Sequence, residues 1–141
     1  MRTFLKILFL VICTSCGSEV VENNCFYSVQ LNEVINLNNA QFIDLQVPEG
    51  SVITPIGGRN ILIIRRSSRY QAFDMECPEK NCTTPMTFDN LFLKCSCDSK
   101  KYNSLSGCPV NEQGNCLNDS SCFALEYNVL EINSSSLQIS R

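Results

Sequence analysis

Ten cysteines and not one histidine in 141 residues set the terms for this chain. So many sulfurs in so short a chain either cross-link it in an oxidising compartment or hold a metal. The missing imidazole removes Ser-His-Asp and Cys-His catalysis, histidine-held haem and every zinc site that needs a nitrogen ligand. The length suits one domain with a modest core. Eleven basic residues against 14 acidic ones give a net charge of -3. The basic residues are also dispersed, which excludes a nucleic-acid-binding surface.

Residues 1–16 run from Arg2 and Lys6 through the apolar Ile7–Ile12 to Cys13-Thr14-Ser15-Cys16. A basic start, a short apolar centre and small residues before a cut make a secretory signal. The run is too short to span a bilayer as a helix, which takes ~20 residues. Thr14 and Ser15 before Cys16, with Gly17-Ser18-Glu19 after it, resemble the lipobox of bacterial lipoproteins. That resemblance implies a leader over 1–15, a lipid on Cys16 and a protein anchored to a membrane of the bacterial cell envelope. Cys13 stands where that family usually has leucine, and cleavage without lipid is the simpler alternative. Either way the protein is exported. The polar segment 16–24 reads as a tether, and 25–141 as the domain. With Arg2 and Lys6 removed, the mature chain is more acidic still, so any membrane hold rests on acyl chains. Cys25, Cys77, Cys82, Cys95, Cys97, Cys108, Cys116 and Cys122 then remain, an even set as a disulfide framework requires.

The domain reads as short strands and turns. Phe26–Leu37 alternates imperfectly, and Phe42–Val47 alternates well before Pro48-Glu49-Gly50. Ser51–Ile56 is a further strand, closed by Gly57-Gly58. Ile61-Leu62-Ile63-Ile64 is a continuous aliphatic run, hence a buried strand, with Arg65-Arg66-Ser67-Ser68 as its polar exit. Tyr70–Phe73 pairs back on it. Met86–Phe88 and Leu91–Lys94 flank a tight turn at Asp89-Asn90. Phe123–Leu130 and Ser136–Ile139 complete an all-β antiparallel domain, and no window carries a helical period over three turns.

Two cysteine clusters each follow an expected strand: Cys77-Pro78-Glu79-Lys80-Asn81-Cys82 and Cys95-Ser96-Cys97-Asp98. Loops on adjacent hairpins would bring four sulfurs to one end of the sheet, able to grip a metal or close disulfides. The layout Cys-x-acid-x2-Cys, then fifteen residues between the acid and Cys95, then Cys-x-Cys-acid resembles the Rieske iron–sulfur domain. Lys101-Tyr102-Asn103, Cys108-Pro109-Val110-Asn111 and the segments Tyr127–Val129 and Leu137–Ile139 extend the likeness over about 50–141. The resemblance implies a Rieske-like antiparallel β sandwich or barrel with two cysteine-bearing loops. It casts Cys77 and Cys95 as thiolate ligands of a [2Fe-2S] cluster, Cys82 and Cys97 as a disulfide between the loops, and Glu79 and Asp98 as occupants of the two histidine positions. Ser99 and Lys100 replace the family's glycine and serine.

Carboxylates in the histidine positions change the chemistry. They would make the oxidised site as negative as four thiolates do, toward the ~-400 mV of plant-type ferredoxins. Their hard oxygens also suit calcium, magnesium or manganese better than sulfide-bridged iron. Both thiolates of such a site bind one iron, so their sulfurs lie close. Without iron, Cys77 and Cys95 could close a disulfide if their Cα atoms fall within ~7 Å. Cys77–Cys95 and Cys82–Cys97 would then join the same two loops twice, each worth ~3 kcal/mol in the chain-entropy model. Cys25, Cys108, Cys116 and Cys122 would form two further bridges. Cys108–Cys116 with Cys25–Cys122 is one pairing, and spacing alone does not choose it.

Simpler readings cover the remaining features. A four-thiolate zinc site lacks the usual Cys-x2-Cys knuckles. Glu79 and Asp98 could pair as acid and base on a loop tip, but nothing in the sequence predicts the sugar-binding cleft that glycosidase chemistry needs, and they read as solvated charges. Arg65, Arg66 and Arg69 read most simply as a solvated turn, with contact to an anionic lipid or partner as the alternative. The sequons at Asn81, Asn118 and Asn133 matter only if the protein is a eukaryotic secreted one.

Three functions follow from different classes. One is a one-electron carrier with a cluster on Cys77, Cys95 and the two carboxylates, working with a redox partner in the envelope. Another is a cluster-free, disulfide-stabilised module whose loop tip binds a protein partner or serves a structural role. The third is a hard-cation site on Glu79 and Asp98. The residues favour the cluster-free module and no independent enzymatic activity.

Overall fold

The aliphatic run Ile61–Ile64 occupies β3 (Arg59–Arg65), and all four side chains are at most 1% exposed. Successive side chains of a strand point to opposite faces, so a strand apolar at every position must be covered on both. Ile61 and Ile63 enter one core, whereas Leu62 and Ile64 enter another. The computed structural model describes residues 25–26, 29–80, 82–117 and 122–141. The expected leader over 1–15, the lipid-bearing Cys16 and the tether over 16–24 lie outside the described residues. None of the described helices is long and apolar enough to cross a membrane.

β3 pairs antiparallel with β2 (Ser51–Ile56) and with β4 (Tyr70–Asp74). Further strands are β1 (Asn32–Asn36), β9 (Glu126–Asn133) and β10 (Ser136–Ser140), which complete a six-stranded sheet in the order β1-β10-β9-β4-β3-β2. Every pairing in it is antiparallel. The sheet folds around a core to which β1 contributes Ile35, β3 gives Ile61 and Ile63, β4 gives Tyr70 and Ala72, and β10 gives Leu137 and Ile139. A second, four-stranded sheet has the order β5-β6-β7-β8, from β5 (Thr87–Phe88), β6 (Phe92–Lys94), β7 (Lys101–Asn103) and β8 (Pro109–Val110). Leu93 and Tyr102 from this sheet meet Leu62, Ile64 and Phe73 in the second core. The all-β antiparallel architecture with two cysteine-bearing loops is therefore observed.

Two local expectations are corrected. Phe42–Val47, read as a strand, lies mostly in a 3-10 helix over Ala40–Gln46. Side chains three apart eclipse in a 3-10 helix, and Phe42 and Leu45 are the pair that is buried while Ile43 stays exposed. A period of three and a period of two both fit a segment so short. Arg66, read as part of a solvated turn, is instead only 12% exposed at its side chain. Its guanidinium pairs with Glu49 at 2.7 Å and donates to Gln71 and to the carbonyl and hydroxyl oxygens of Ser104. It thereby ties the β3–β4 turn to the second sheet. Arg65 donates to the Tyr70 hydroxyl at 2.7 Å.

The turn expected at Asp89-Asn90 connects β5 to β6. Asn90 takes a left-handed φ of 75°, a conformation asparagine tolerates. Asp89 Oδ1 accepts the N–H groups of Leu91 and Phe92. Gly107 needs its missing side chain for space as well as for its φ of 70°: a Cβ there would sit 2.9 Å from the Ala124 carbonyl oxygen. Cys25–Cys122 ties the start of the described domain to the segment before β9 across 97 residues. In the chain-entropy model a closed loop of that size contributes ~4–5 kcal/mol. Cys108–Cys116 closes a loop of 8 residues beside β8.

Asp74, at the end of β4, is 2% exposed and fully engaged. Tyr127 on β9 donates to its Oδ2 at 2.6 Å, Arg59 pairs with the same oxygen, and the Glu76 N–H donates to Oδ1 at 2.8 Å. The bond to Asp74 is the main cause holding the Arg59 guanidinium above its usual range. Burial, then the bond to Asp74, raises the Tyr127 phenol. Tyr127→Phe should therefore cost about 1.5–3 kcal/mol, the worth of a hydrogen bond to a charged partner. Urea unfolding without reductant measures it, and an unchanged midpoint refutes the assignment.

Candidate functional site

Strands β4 and β6 deliver the two cysteine loops to the same end of the second core. Three residues beyond β4 stands Cys77, and Cys95 directly follows β6, each 1% exposed. The second loop is a tight reversal. Cys95 N donates to Lys100 O at 2.8 Å, Ser99 N donates to Cys95 O at 3.1 Å, and Ser99 adopts a φ of 61°. The first loop turns where Lys80 N donates to Cys77 O, and Met86 N returns to Met75 O at 2.6 Å. Ser96 Oγ donates to Pro85 O at 2.8 Å and pins one loop to the other.

Four sulfurs meet there. Cys77 is bonded to Cys95 with Cα atoms 5.6 Å apart, and Cys82 to Cys97 with Cα atoms 5.7 Å apart. Both separations lie in the ordinary range for a disulfide. The Sγ atoms of Cys77, Cys82 and Cys95 all lie within 4.8 Å of one another. Thr84 O is 3.4 Å from Cys82 Sγ and 3.9 Å from Cys77 Sγ. Cys77, Cys82 and Cys95 belong to the second core, whereas Cys97 is exposed. Among the described residues this sulfur group, without a carboxylate, is the cluster of potential metal ligands.

Glu79 and Asp98 point to a different partner. Lys100 Nζ pairs with Glu79 and lies 3.9 Å from Asp98 Oδ2, while Lys100 N donates to Asp98 Oδ1 at 3.0 Å. The lysine thus stands between the two acids, a role its place beside Asp98 did not announce. These ion pairs are substantially exposed and contribute little stability. The negative field of the two acids nevertheless reaches the core: burial first, then Glu79 and Asp98, push the Tyr102 phenol up to about 12.

Beside the first loop lies a cleft of about 370 Å³ whose lining includes Arg59, Asp74, Glu76, Lys80, Cys82 and Thr84. Arg59 and Asp74 on its wall form a group with Tyr127 that carries no sequence signal, because its members are 15 and 53 residues apart in the chain and share no motif. Cys16 lies outside the described residues.

No protein-family model matches the sequence, and no curated protein matches it. Among solved structures, the chain is similar to the ferredoxin of carbazole 1,9a-dioxygenase from Nocardioides aromaticivorans IC177, at 13% identity over 79% of this chain and 95% of that one, with a TM-score of 0.47. It is also similar to a protein described as the small subunit of an NADH-dependent nitrite reductase from Mycobacterium tuberculosis. There the identity is 11% over 80% of this chain and 96% of that one, again with a TM-score of 0.47.

The Tyr102 shift carries a pH consequence. A phenol raised from 10.0 to about 12 on folding contributes stability that is intact below pH ~10 and declines as pH climbs toward the folded-state value. Tyr102→Phe should lose less stability than wild type over that alkaline span, measured by urea midpoints. Parallel pH profiles for the two proteins refute the shift.

Proposed function

We propose that this is a divergent Rieske-like domain protein that works as a cluster-free, disulfide-stabilised binding or structural module, anchored to the cell envelope through a lipid on Cys16. The observation that carries the reading is the bond between Cys77 and Cys95. The two sulfurs that the resemblance casts as iron ligands are spent on each other, and a disulfide sulfur offers no thiolate to iron. The supporting donors fit no better. Histidine is absent from the whole chain, and Glu79 and Asp98 are engaged by Lys100. This donor set does not suit a [2Fe-2S] cluster. What remains is a cross-linked tip with an exposed, charged rim at Ser96–Lys100, which suits contact with a protein partner in the envelope.

The electron-carrier alternative draws on the mutual closeness of the Cys77, Cys82 and Cys95 sulfurs, and one assay separates the two. Protein purified without oxygen from its native envelope should be colourless and free of iron. A brown preparation with two irons and two sulfides per chain, the content of a [2Fe-2S] cluster, overturns the proposal. Anchoring has its own check: Cys16→Ser should shift the protein from the membrane to the soluble fraction, and retention on the membrane rejects the lipid.

A further inference from the structure

We propose that the two tip disulfides form a thiol–disulfide relay, in which the outer pair Cys82–Cys97 exchanges with an external dithiol and passes thiol equivalents through Cys82 to the inner pair Cys77–Cys95. The inference rests on the disulfide-closed tip proposed above and assigns it a reaction.

Burial sets the direction. Exchange proceeds by attack of a thiolate on a disulfide sulfur, so its site is set by access as well as by intrinsic reactivity. Of the four sulfur-bearing residues only Cys97 is exposed. Cys82 is 6% exposed, and Cys77 and Cys95 are each 1% exposed. An incoming thiolate therefore meets Cys97 first. Cys82 is the connecting residue, because its Sγ is bonded to the exposed partner and lies within 4.8 Å of both inner sulfurs. Thr84 O, near both Cys82 Sγ and Cys77 Sγ, is positioned to accept a hydrogen bond from either once it is a thiol.

The steps balance. One thiolate of the dithiol bonds to Cys97 Sγ, the Cys82–Cys97 bond breaks, and Cys82 leaves as a thiolate. The second thiol of the partner displaces Cys97, so the partner is oxidised to its disulfide while Cys82 and Cys97 together take up two electrons and two protons. The Cys82 thiolate then attacks Cys77 or Cys95. A bond from Cys82 to that sulfur forms, the inner bond breaks, and the other inner cysteine leaves as the thiolate. This second step moves the thiol inward without changing the electron count.

The test uses full-length protein already assayed for iron. Bound iron refutes the cluster-free reading itself, whereas iron-free protein that lacks the exchange pattern refutes only the relay. Graded treatment with dithiothreitol, acid quenching, alkylation and mass mapping should show Cys82–Cys97 opening ~10-fold or more faster than Cys77–Cys95, the difference expected between accessible and buried sulfurs. Peptides linked Cys82–Cys77 or Cys82–Cys95 should appear at partial reduction. Cys97→Ser, which leaves Cys82 as a thiol beside the inner pair, should show the same rearranged linkages before any reductant is added. Cys82→Ser, which removes the connecting sulfur, should show none, and its inner pair should be reduced more slowly than in Cys97→Ser. Native linkages alone in Cys97→Ser, or equal inner-pair rates in the two variants, overturn the relay. Should either variant not fold, the wild-type order decides, and simultaneous loss of both pairs overturns it too.

Discussion

The two-sided burial of β3 and β4 is the constraint on which the rest of the domain depends. Ile61 and Ile63 fill the core inside the six-stranded sheet, and Leu62 and Ile64 fill the core beneath the four-stranded one. Neither sheet can shift against the other without uncovering a face of β3, and a one-residue slip of register would exchange the two sets of side chains. β4 follows the same logic, with Ala72 in the first core and Phe73 in the second. The first cysteine loop leaves directly from β4, so the placement of the tip follows from the placement of this strand pair. Arg66 and Gln71 reinforce the same junction with hydrogen bonds to Ser104 and Leu105.

The tip itself has little apolar material of its own. The strands that carry the second sheet are two or three residues long, too short to hold a loop assembly by ladder hydrogen bonds alone. Sulfur supplies what they lack, since Cys77, Cys82 and Cys95 pack as apolar residues beside Met75, Met86 and Tyr102 while also cross-linking the loops. Charge is kept to the rim. Lys100 neutralises part of the Glu79 and Asp98 field on the outside, and the portion that reaches inward is felt by the Tyr102 phenol.

How far a single sequence can be read depends on which signals are local. The Ile61–Ile64 run, the Asp89-Asn90 turn and the short strand Ser51–Ile56 closed by Gly57-Gly58 each express their structure within a few residues, and each is found as expected. The 3-10 helix at Ala40–Gln46 passes for a strand because Phe42 and Leu45 make only one turn, which leaves no repeat to distinguish its period. Strands β7 and β8 are so short that pairing across the sheet, rather than propensity, defines them. The pairings Cys77–Cys95 and Cys82–Cys97 are legible through a family layout rather than through spacing. The Arg59–Asp74–Tyr127 group and the seat of Arg66 depend on contacts between distant strands, for which a single sequence carries no local mark.

The double cross-link also bears on how tightly the outer bridge is held. Treated singly, loops of 15 and 18 residues contribute ~3 kcal/mol each by restricting the unfolded chain. The two bridges join the same two loops, however, so either one alone already brings the ends of the other together. Interactions that share partners are not additive, and the second bridge to close restricts far less chain than the first. Opening Cys82–Cys97 while Cys77–Cys95 stays closed therefore costs well under the single-bridge figure, and the loops keep their register because Ser96 still reaches Pro85. A domain with one tip disulfide would couple every exchange event to loss of the tip's shape. With two bridges between the same loops, the buried pair keeps them joined while the exposed pair first opens, and a Cys82–Cys95 bond formed in the inward step joins them still.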